Sequence, residues 1–310
     1  MKIINLSDNQ NNQFHQNCCL TIGNFDGIHI GHKAILSQVI NHAKINNCHS
    51  ALLTFDPHPI FTLNKKITNN FLITNLKQKQ KILKDCGLDY LFIINFDQEI
   101  ANLSANSFIK KFLIDQLNIK HLIIGYDFIF GKNKSGDANL LRQAATKYQF
   151  NFSQVSAQVS NFKNNDQQIY SSSLIRQLIN QGKIKQANKL LGHDFSISAT
   201  VIKGQQQGRT IGFPTANLKL DEKIIKPKYG VYHVKAITKD GTMHNAIANF
   251  GIRPTVNNNQ EILEVHIPNF KNNIYHQNLT INFIDFIRDE KKFSSLEKLQ
   301  QQIKQDLTKI

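Results

Sequence analysis

A chain of 310 residues, 41% of them hydrophobic, exceeds the usual size of one domain and points to two, each able to bury its own core. The 37 Lys+Arg against 22 Asp+Glu give a charge of +15, which suits an anionic partner; the excess is scattered lysine in a chain crowded with Asn, Ile, Gln and Lys, no basic stripe interleaves with aromatics, and no nucleic acid is expected as partner. Four cysteines without C-x-x-C or regular spacing argue against a zinc knuckle or disulfide framework, and with neither a signal-peptide core nor a bilayer-length apolar run, the expectation is no membrane and a cytoplasmic location.

In the first part of the chain apolar runs alternate with helical periods, the pattern of a parallel sheet covered by helices. Strands are expected at CCLTIG (18–23), SALLTF (50–55), DYLFIINF (89–96), HLIIG (121–125) and FNFSQVSAQV (150–159). Helices are expected over 32–44, over 75–86 with Thr74 as N-cap and Gly87 as stop, and over 107–117, 172–181 and 184–191. After Gly192 the character changes. DFSISATVIKG, GVYHVKAIT, MHNAIANFG, EILEVHI and LTINFIDFIR alternate apolar and polar residues between Gly, Pro and Asn turns, which predicts antiparallel strands closing into a small barrel or sandwich. SSLEKLQQQIKQDL reads as an amphipathic helix capped by Ser294 or Ser295, with Leu296, Leu299, Ile303 and Leu307 as its buried stripe. The expected fold class is thus α/β + β: a parallel-sheet domain over 1–186 and a small antiparallel β-barrel with a terminal helix over 187–310.

The stretch GNFDGIHIGH, Gly23 to His32, joins the first of these strands to the first helix. A helix start offers unpaired N–H groups and the positive end of the dipole to an anion, and Gly27 and Gly31 let backbone approach it closely. The spacing is neither G-x-G-x-x-G nor a P-loop. His29 and His32 add donors without permanent charge, able to strengthen their interaction as charge builds on a transferring phosphoryl group. That combination suits attack on the α-phosphate of a nucleotide triphosphate, although two ordinary loop histidines would read the same in isolation. FDPHP (55–59) and IIGYDFIFGKNKSGD (123–137) follow later strands, at the ends where parallel sheets bind ligands. SSSLIR (171–176) sets hydroxyls at a helix start and Arg176 within it, a clasp for a triphosphate.

In the second half, GQQQGRTIGFPTANL (204–218) contains Gly208 and Arg209, which suit a flap over phosphates, and Thr215 and Asn217, which share one face of an extended strand and can both offer oxygen to magnesium. A β-turn followed by a polar-faced strand would read the same. ILEVHIPNF puts Glu264 and His266 on one strand face, where a carboxylate could accept the proton of a substrate hydroxyl.

Together these motifs resemble the bacterial bifunctional riboflavin kinase/FMN adenylyltransferase family, the FAD synthetases. That family carries G-x-F-D-G-x-H-x-G-H, F-x-P-H-P, G-x-x-F-x-F-G and S-S-T/S-x-I-R in its nucleotidyltransferase half, then G-R-x-x-G-F-P-T-A-N, G-V-Y, N-x-G-x-R-P-T and a Glu in an E-x-H strand. All are matched here in order, at 23–32, 55–59, 125–131, 171–176, 208–217, 230–232, 249–255 and 264–266. The resemblance implies a Rossmann-like nucleotidyltransferase domain and a riboflavin kinase-like barrel, which convert riboflavin to FMN and then FMN to FAD with ATP and Mg2+. It implies that His29 and His32, with Gly23, Asn24, Phe25, Asp26, Gly27 and Gly31 around them, meet the ATP phosphates. Ser172 and Arg176 clasp those phosphates from the other side, and Asp127 sits at nucleotide or flavin. In the kinase half Thr215 and Asn217 hold Mg-ATP, Gly208, Arg209 and Arg253 belong to the binding loops, and Glu264 is the base. The partners implied are small molecules, for a monomer or weak homo-oligomer. The chain departs from the pattern at Ile129, where the family often has arginine, so that one basic contact is missing or is supplied by Lys132 or Lys134, at Gln207, at Asn269 in the Ile267–Phe270 loop, and at His276. Two rivals stay open on sequence: an adenylyltransferase acting on another phosphate, and a basic nucleic-acid-binding protein using the barrel as its platform.

Overall fold

The computed structural model describes residues 1–6, 14, 16–161, 167–204, 208, 211–254 and 259–310, with backbone only at 160, 161, 167, 253, 254, 259 and 260. The chain divides into two compact units, Met1–Thr68 with Thr74–Ser171, and Asn69–Ile73 with Ser172–Ile310.

In the first unit six parallel strands lie in the order β1-β4-β3-β2-β5-β6, with β1 Lys2–Asn5, β2 Cys18–Ile22, β3 His49–Asp56, β4 Tyr90–Asn95, β5 His121–Gly125 and β6 Asn151–Val155. All five residues of β2 are buried, as a central strand covered on both faces requires. The helices are α1 (Ile30–Ile45), α2 (Pro59–Leu63), α3 (Leu76–Asp85), α4 (Gln98–Ala101), α5 (Ala105–Phe108) and α6 (Ala138–Tyr148). Strand order reverses at β2, which has β3 on one side and β5 on the other. The carboxyl ends of β2 and β5 therefore flank the crevice where such sheets take ligands.

Several local expectations change. β1 is an additional strand, and FNFSQVSAQV is interrupted: β6 stops at Val155, and Val159 begins β7 (Val159–Asn161), paired antiparallel with β8 (Gln167–Ile169). The helix expected over 107–117 is α5 continued by a π-helical run, Ile109–Gln116. Asn75, not Thr74, caps α3, through a reciprocal box with Gln78. Thr74 thereby keeps its amide and hydroxyl for another partner.

The second unit is a closed barrel in the order β10-β13-β12-β11-β14-β9, every neighbour antiparallel. Its strands are β9 (Ser196–Ile202), β10 (Ala216–Lys219), β11 (Gly230–Ile237), β12 (Met243–Pro254), β13 (Asn259–His266) and β14 (Asn278–Arg288). Tyr232, Phe250 and Phe283, fully buried, fill it together with Phe195 just before β9. Its helices among the described elements are α7 (Ser172–Asn180), α8 (Ile184–Leu191) and α9 (Leu296–Leu307). Ser295 caps α9, but the expected stripe is not buried: Leu296 is 60% exposed, and Leu299, Ile303 and Leu307 are half-buried. The buried residue of α9 is Asp306, whose carboxylate takes Arg288 of β14 in a two-pronged bond, Nε to Oδ1 at 3.1 Å and Nη2 to Oδ2 at 2.8 Å. A charge pair rather than an apolar stripe therefore fixes this helix, and its apolar face is left for a cavity.

Candidate active site

The chain leaves β2 through Gly23 and turns sharply over Asn24 to Ile28. Phe25, Gly27 and Ile28 have φ of 46°, 82° and 40°, a left-handed excursion that Gly27 alone adopts without strain. Asp26 is buried, and its Oδ1 accepts from the Thr74 amide at 3.1 Å and hydroxyl at 3.4 Å, while the Gly27 amide donates to the Thr74 hydroxyl at 3.1 Å. The carbonyl of Asn24 accepts from Lys79 Nζ at 2.7 Å and from the Thr54 hydroxyl at 3.3 Å. Thr74 and Lys79 thus hold the loop from within the unit; the sequence pattern offered them only as a helix cap and one more helical lysine.

His29 is the N-cap of α1, its Nδ1 accepting from the His32 amide at 3.2 Å. One of the first-turn donors expected to face an anion is therefore already engaged. An imidazole that accepts at Nδ1 carries its proton at Nε2, so this geometry assigns His29 a neutral ring with an Nε2–H donor. The His29 and His32 rings stack at 3.6 Å between centroids, and Phe25 stacks on His32 at 4.5 Å. The structure brings Phe25, His29 and His32 into a single column, with Gly31 in the first turn of α1 leaving room for the His29 ring.

Across the crevice, β5 ends at Gly125 and leads to an exposed Asp127; Ile129 is 50% exposed, and Phe128 and Phe130 stack at 5.5 Å. Lys132 and Lys134, both exposed, stand close by in a short 3-10 turn. Ser172 and Arg176 lie on α7 in the second unit, where Arg176 Nε donates to the Phe71 carbonyl at 2.8 Å and the guanidinium rests 3.8 Å from the Phe71 ring.

On the barrel, Asn217 of β10 faces Glu264 of β13, and Glu264 in turn faces Asn249 of β12. The row continues through Val231 to Arg288. Register partners on antiparallel strands present their side chains to one face, and all five line a cavity of about 600 Å³ walled on another side by Leu296, Leu299 and Ile303 of α9. Asn217 is buried, its Oδ1 without a hydrogen-bond partner among the described residues, and Gly204 lies so close to its carboxamide that a Cβ there would fall 2.3 Å from Nδ2. His266, buried beside Glu264, donates from Nδ1 to the Pro214 carbonyl at 2.8 Å and so fixes the turn ahead of Thr215. Gly208 closes the same turn by accepting from the Phe213 amide at 2.7 Å. Thr215 also borders a second hollow, of about 710 Å³, with Lys203, Phe270 and Tyr275. Arg209 and Gln207 lie outside the described residues, and Arg253 is described by its backbone alone, opposite Gln260.

Family models match in two blocks that follow the two motif sets: FAD synthetase over residues 11–174 and riboflavin kinase over 191–310. The protein of Buchnera aphidicola subsp. Schizaphis graminum described as bifunctional riboflavin kinase/FMN adenylyltransferase is 38% identical over 95% of this chain and 93% of its own. The chain belongs to the bifunctional riboflavin kinase/FMN adenylyltransferase family. Members from Escherichia coli K12, 35% identical over 99% of this chain and 96% of theirs, and Listeria monocytogenes, 34% identical over 94% and 90%, span it in the same way. A crystal structure described as a macrolide-efflux protein from Streptococcus pneumoniae superposes with a TM-score of 0.85 at 28% identity, covering 99% of this chain and 98% of its own. Among the described residues of this family member, no helix is long and apolar enough to cross a membrane.

Proposed function

We propose that the chain makes FAD from riboflavin in two steps, phosphorylating riboflavin to FMN on the barrel and adenylylating FMN on the parallel-sheet unit, each with ATP. The observation that carries this reading is that one chain matches two family models, FAD synthetase over residues 11–174 and riboflavin kinase over 191–310. Those matches also favour a functional division into 1–186 for adenylyl transfer and 187–310 for the kinase. Small molecules are then the partners, in a cytoplasmic enzyme that is a monomer or weak homo-oligomer and does not act on nucleic acid.

In the kinase step the terminal ribityl hydroxyl of riboflavin attacks the γ-phosphorus of ATP, its proton passes to Glu264, and ADP departs. The flavin is assigned to the cavity under α9 and the nucleotide to the second hollow, since Thr215 borders both and the transferred phosphoryl group has to pass between them. The orphaned Oδ1 of Asn217 beside Thr215 fits a hard cation, and these two residues would hold magnesium, which supplies charge neutralisation on the phosphates. Among the described residues no cluster of three His, Cys, Asp or Glu is placed to hold a metal ion.

In the adenylyl step an oxygen of the FMN phosphate attacks the α-phosphorus of ATP and pyrophosphate leaves. The nucleophile is already anionic, so no protein base is required; alignment and charge neutralisation do the work. We assign those tasks to the Nε2–H of His29, to His32 and to the first-turn amides of Ile30 and Gly31, with Asp127 at the flavin or nucleotide; the resemblance gives Ser172 and Arg176 a role on the pyrophosphate. Incubation with riboflavin, ATP and magnesium, followed by separation of the flavins, should yield FMN and then FAD. Glu264→Gln should block FMN formation by at least about a hundredfold while supplied FMN still becomes FAD. Loss of both steps in a folded Glu264→Gln protein would refute the two-site assignment.

A further inference from the structure

Lys79 is buried, and among the described residues no other lysine or arginine is. Taking an ammonium out of water costs several kcal/mol, a cost usually offset by direct pairing with a carboxylate. Here the partners are neutral: the Asn24 carbonyl at 2.7 Å and the Thr54 hydroxyl at 3.4 Å. Burial holds its pKa below the ordinary lysine value, while Asp26 and Asp56, farther off, favour the charged form. Thr54 ends the buried part of β3, and Asn24 is the first residue of the loop beyond Gly23, so the ammonium sits at the carboxyl ends of two central strands. The loop it holds is the left-handed excursion that carries His29 and the first turn of α1.

We propose that Lys79 is a positioning residue for ATP in adenylyl transfer: its bond to the Asn24 carbonyl fixes the phosphate loop, and its charge, with no carboxylate in contact, favours a triphosphate on that loop. In a medium of low effective dielectric a unit charge at this depth is felt by an anion on the loop far more than a solvated lysine would be. The proposal rests on the adenylyltransferase reading of the loop. The alternative is that Lys79 only balances the buried charge of Asp26.

The test uses the full chain with Lys79→Met, Asp26→Asn and the charge-balanced double variant. FAD formation is followed for KM of ATP, KM of FMN and kcat; the reverse reaction, FAD plus pyrophosphate giving FMN and ATP, is followed for KM of pyrophosphate. Riboflavin phosphorylation serves as the check on integrity. Lys79→Met should raise the KM of ATP and of pyrophosphate at least tenfold, leaving the KM of FMN and the kinase rate near wild type. The double variant should be at least tenfold poorer toward ATP than Asp26→Asn alone, and this comparison decides the matter if Lys79→Met by itself fails to fold. An unaltered KM for ATP in a folded Lys79→Met protein, or a double variant equal to Asp26→Asn, would overturn the proposal and leave the adenylyltransferase reading standing. A wild-type chain that forms no FAD would overturn both.

Discussion

Asn217 and Glu264 face each other across β10 and β13, one with a buried carboxamide oxygen that no donor among the described residues satisfies, the other with a carboxylate on the same cavity. An unmade hydrogen bond of this kind costs about 1–3 kcal/mol, and it persists where a ligand repays the loss. Asn217→Leu, similar in size and without the orphan, should therefore melt at a higher temperature than wild type in the absence of nucleotide. It should lose the further rise that magnesium and ATP give the barrel and lose riboflavin phosphorylation with it. Calorimetry with and without Mg-ATP reads both effects; a variant that is less stable than wild type and fully active would remove Asn217 from the proposed metal site.

His29 has two roles that substitution can separate. As N-cap of α1 it satisfies the His32 amide, and loss of a side-chain cap costs about 0.5–2 kcal/mol. His29→Ala should lose both the cap and FAD formation, whereas His29→Asn should keep the cap, melt close to wild type, and still stall at FMN. If His29→Asn makes FAD at the wild-type rate, the histidine is a cap and nothing more.

Arg288 and Asp306 tie α9 to β14 through a two-pronged pair in which Asp306 is buried and Arg288 half-buried, with Gln302 Nε2 donating to the same carboxylate at 3.0 Å. Breaking a fully buried pair costs about 3–5 kcal/mol, and with Arg288 only half-buried the loss on neutralising Asp306 should fall below that range. Asp306→Asn should lower the denaturant midpoint and raise the KM for riboflavin, because the pair sets Leu299 and Ile303 over the cavity. Adenylylation of supplied FMN should be untouched, so steady-state kinetics on the two half-reactions distinguishes a loosened helix from general damage.

His121 opens β5 with Nε2 on the Ser153 hydroxyl at 2.9 Å and its ring nearly perpendicular to that of His42, 4.7 Å between centroids. Burial, and secondly the neighbouring His42, hold its pKa below the ordinary 6.5. The unfolded chain then binds the proton more readily than the folded one, so this contribution to stability is complete above the unfolded pKa and is lost as pH falls through it toward the folded value. Thermal midpoints measured on acidification from neutrality should fall less for His121→Gln than for wild type; parallel curves would contradict this.

The alternation of buried runs and helical periods made the central strands legible, because β2, β3, β4 and β5 must be apolar on both faces and few other structures need that. β1 was not, since KIIN is a four-residue edge strand with most of its side chains exposed. Leu296, Leu299 and Ile303 have the spacing of a core stripe, and spacing cannot say whether an apolar face meets a core or lines a cavity. The motif histidines and Glu264 could be found from local sequence. Their supports could not: Thr74 and Lys79 reach the loop from 47 and 55 residues away, and the Asn217–Glu264–Asn249 row exists only once the barrel has set its register.

Barrel closure also bears on how this chain avoids itself. Segments rich in Asn, Gln and Ile stack readily into intermolecular β-structure, and open sheet edges are where such stacking starts. The six-stranded barrel has no edge, and the edges of the parallel sheet are the short strands β1, which begins with Lys2, and β6, with Asn151 and Gln154 exposed. What remains open among the described residues is the β7–β8 pair, whose Val159 and Ile169 are 46% and 41% exposed. If copies of this enzyme join strand to strand, that pair is where the first added strand will be found.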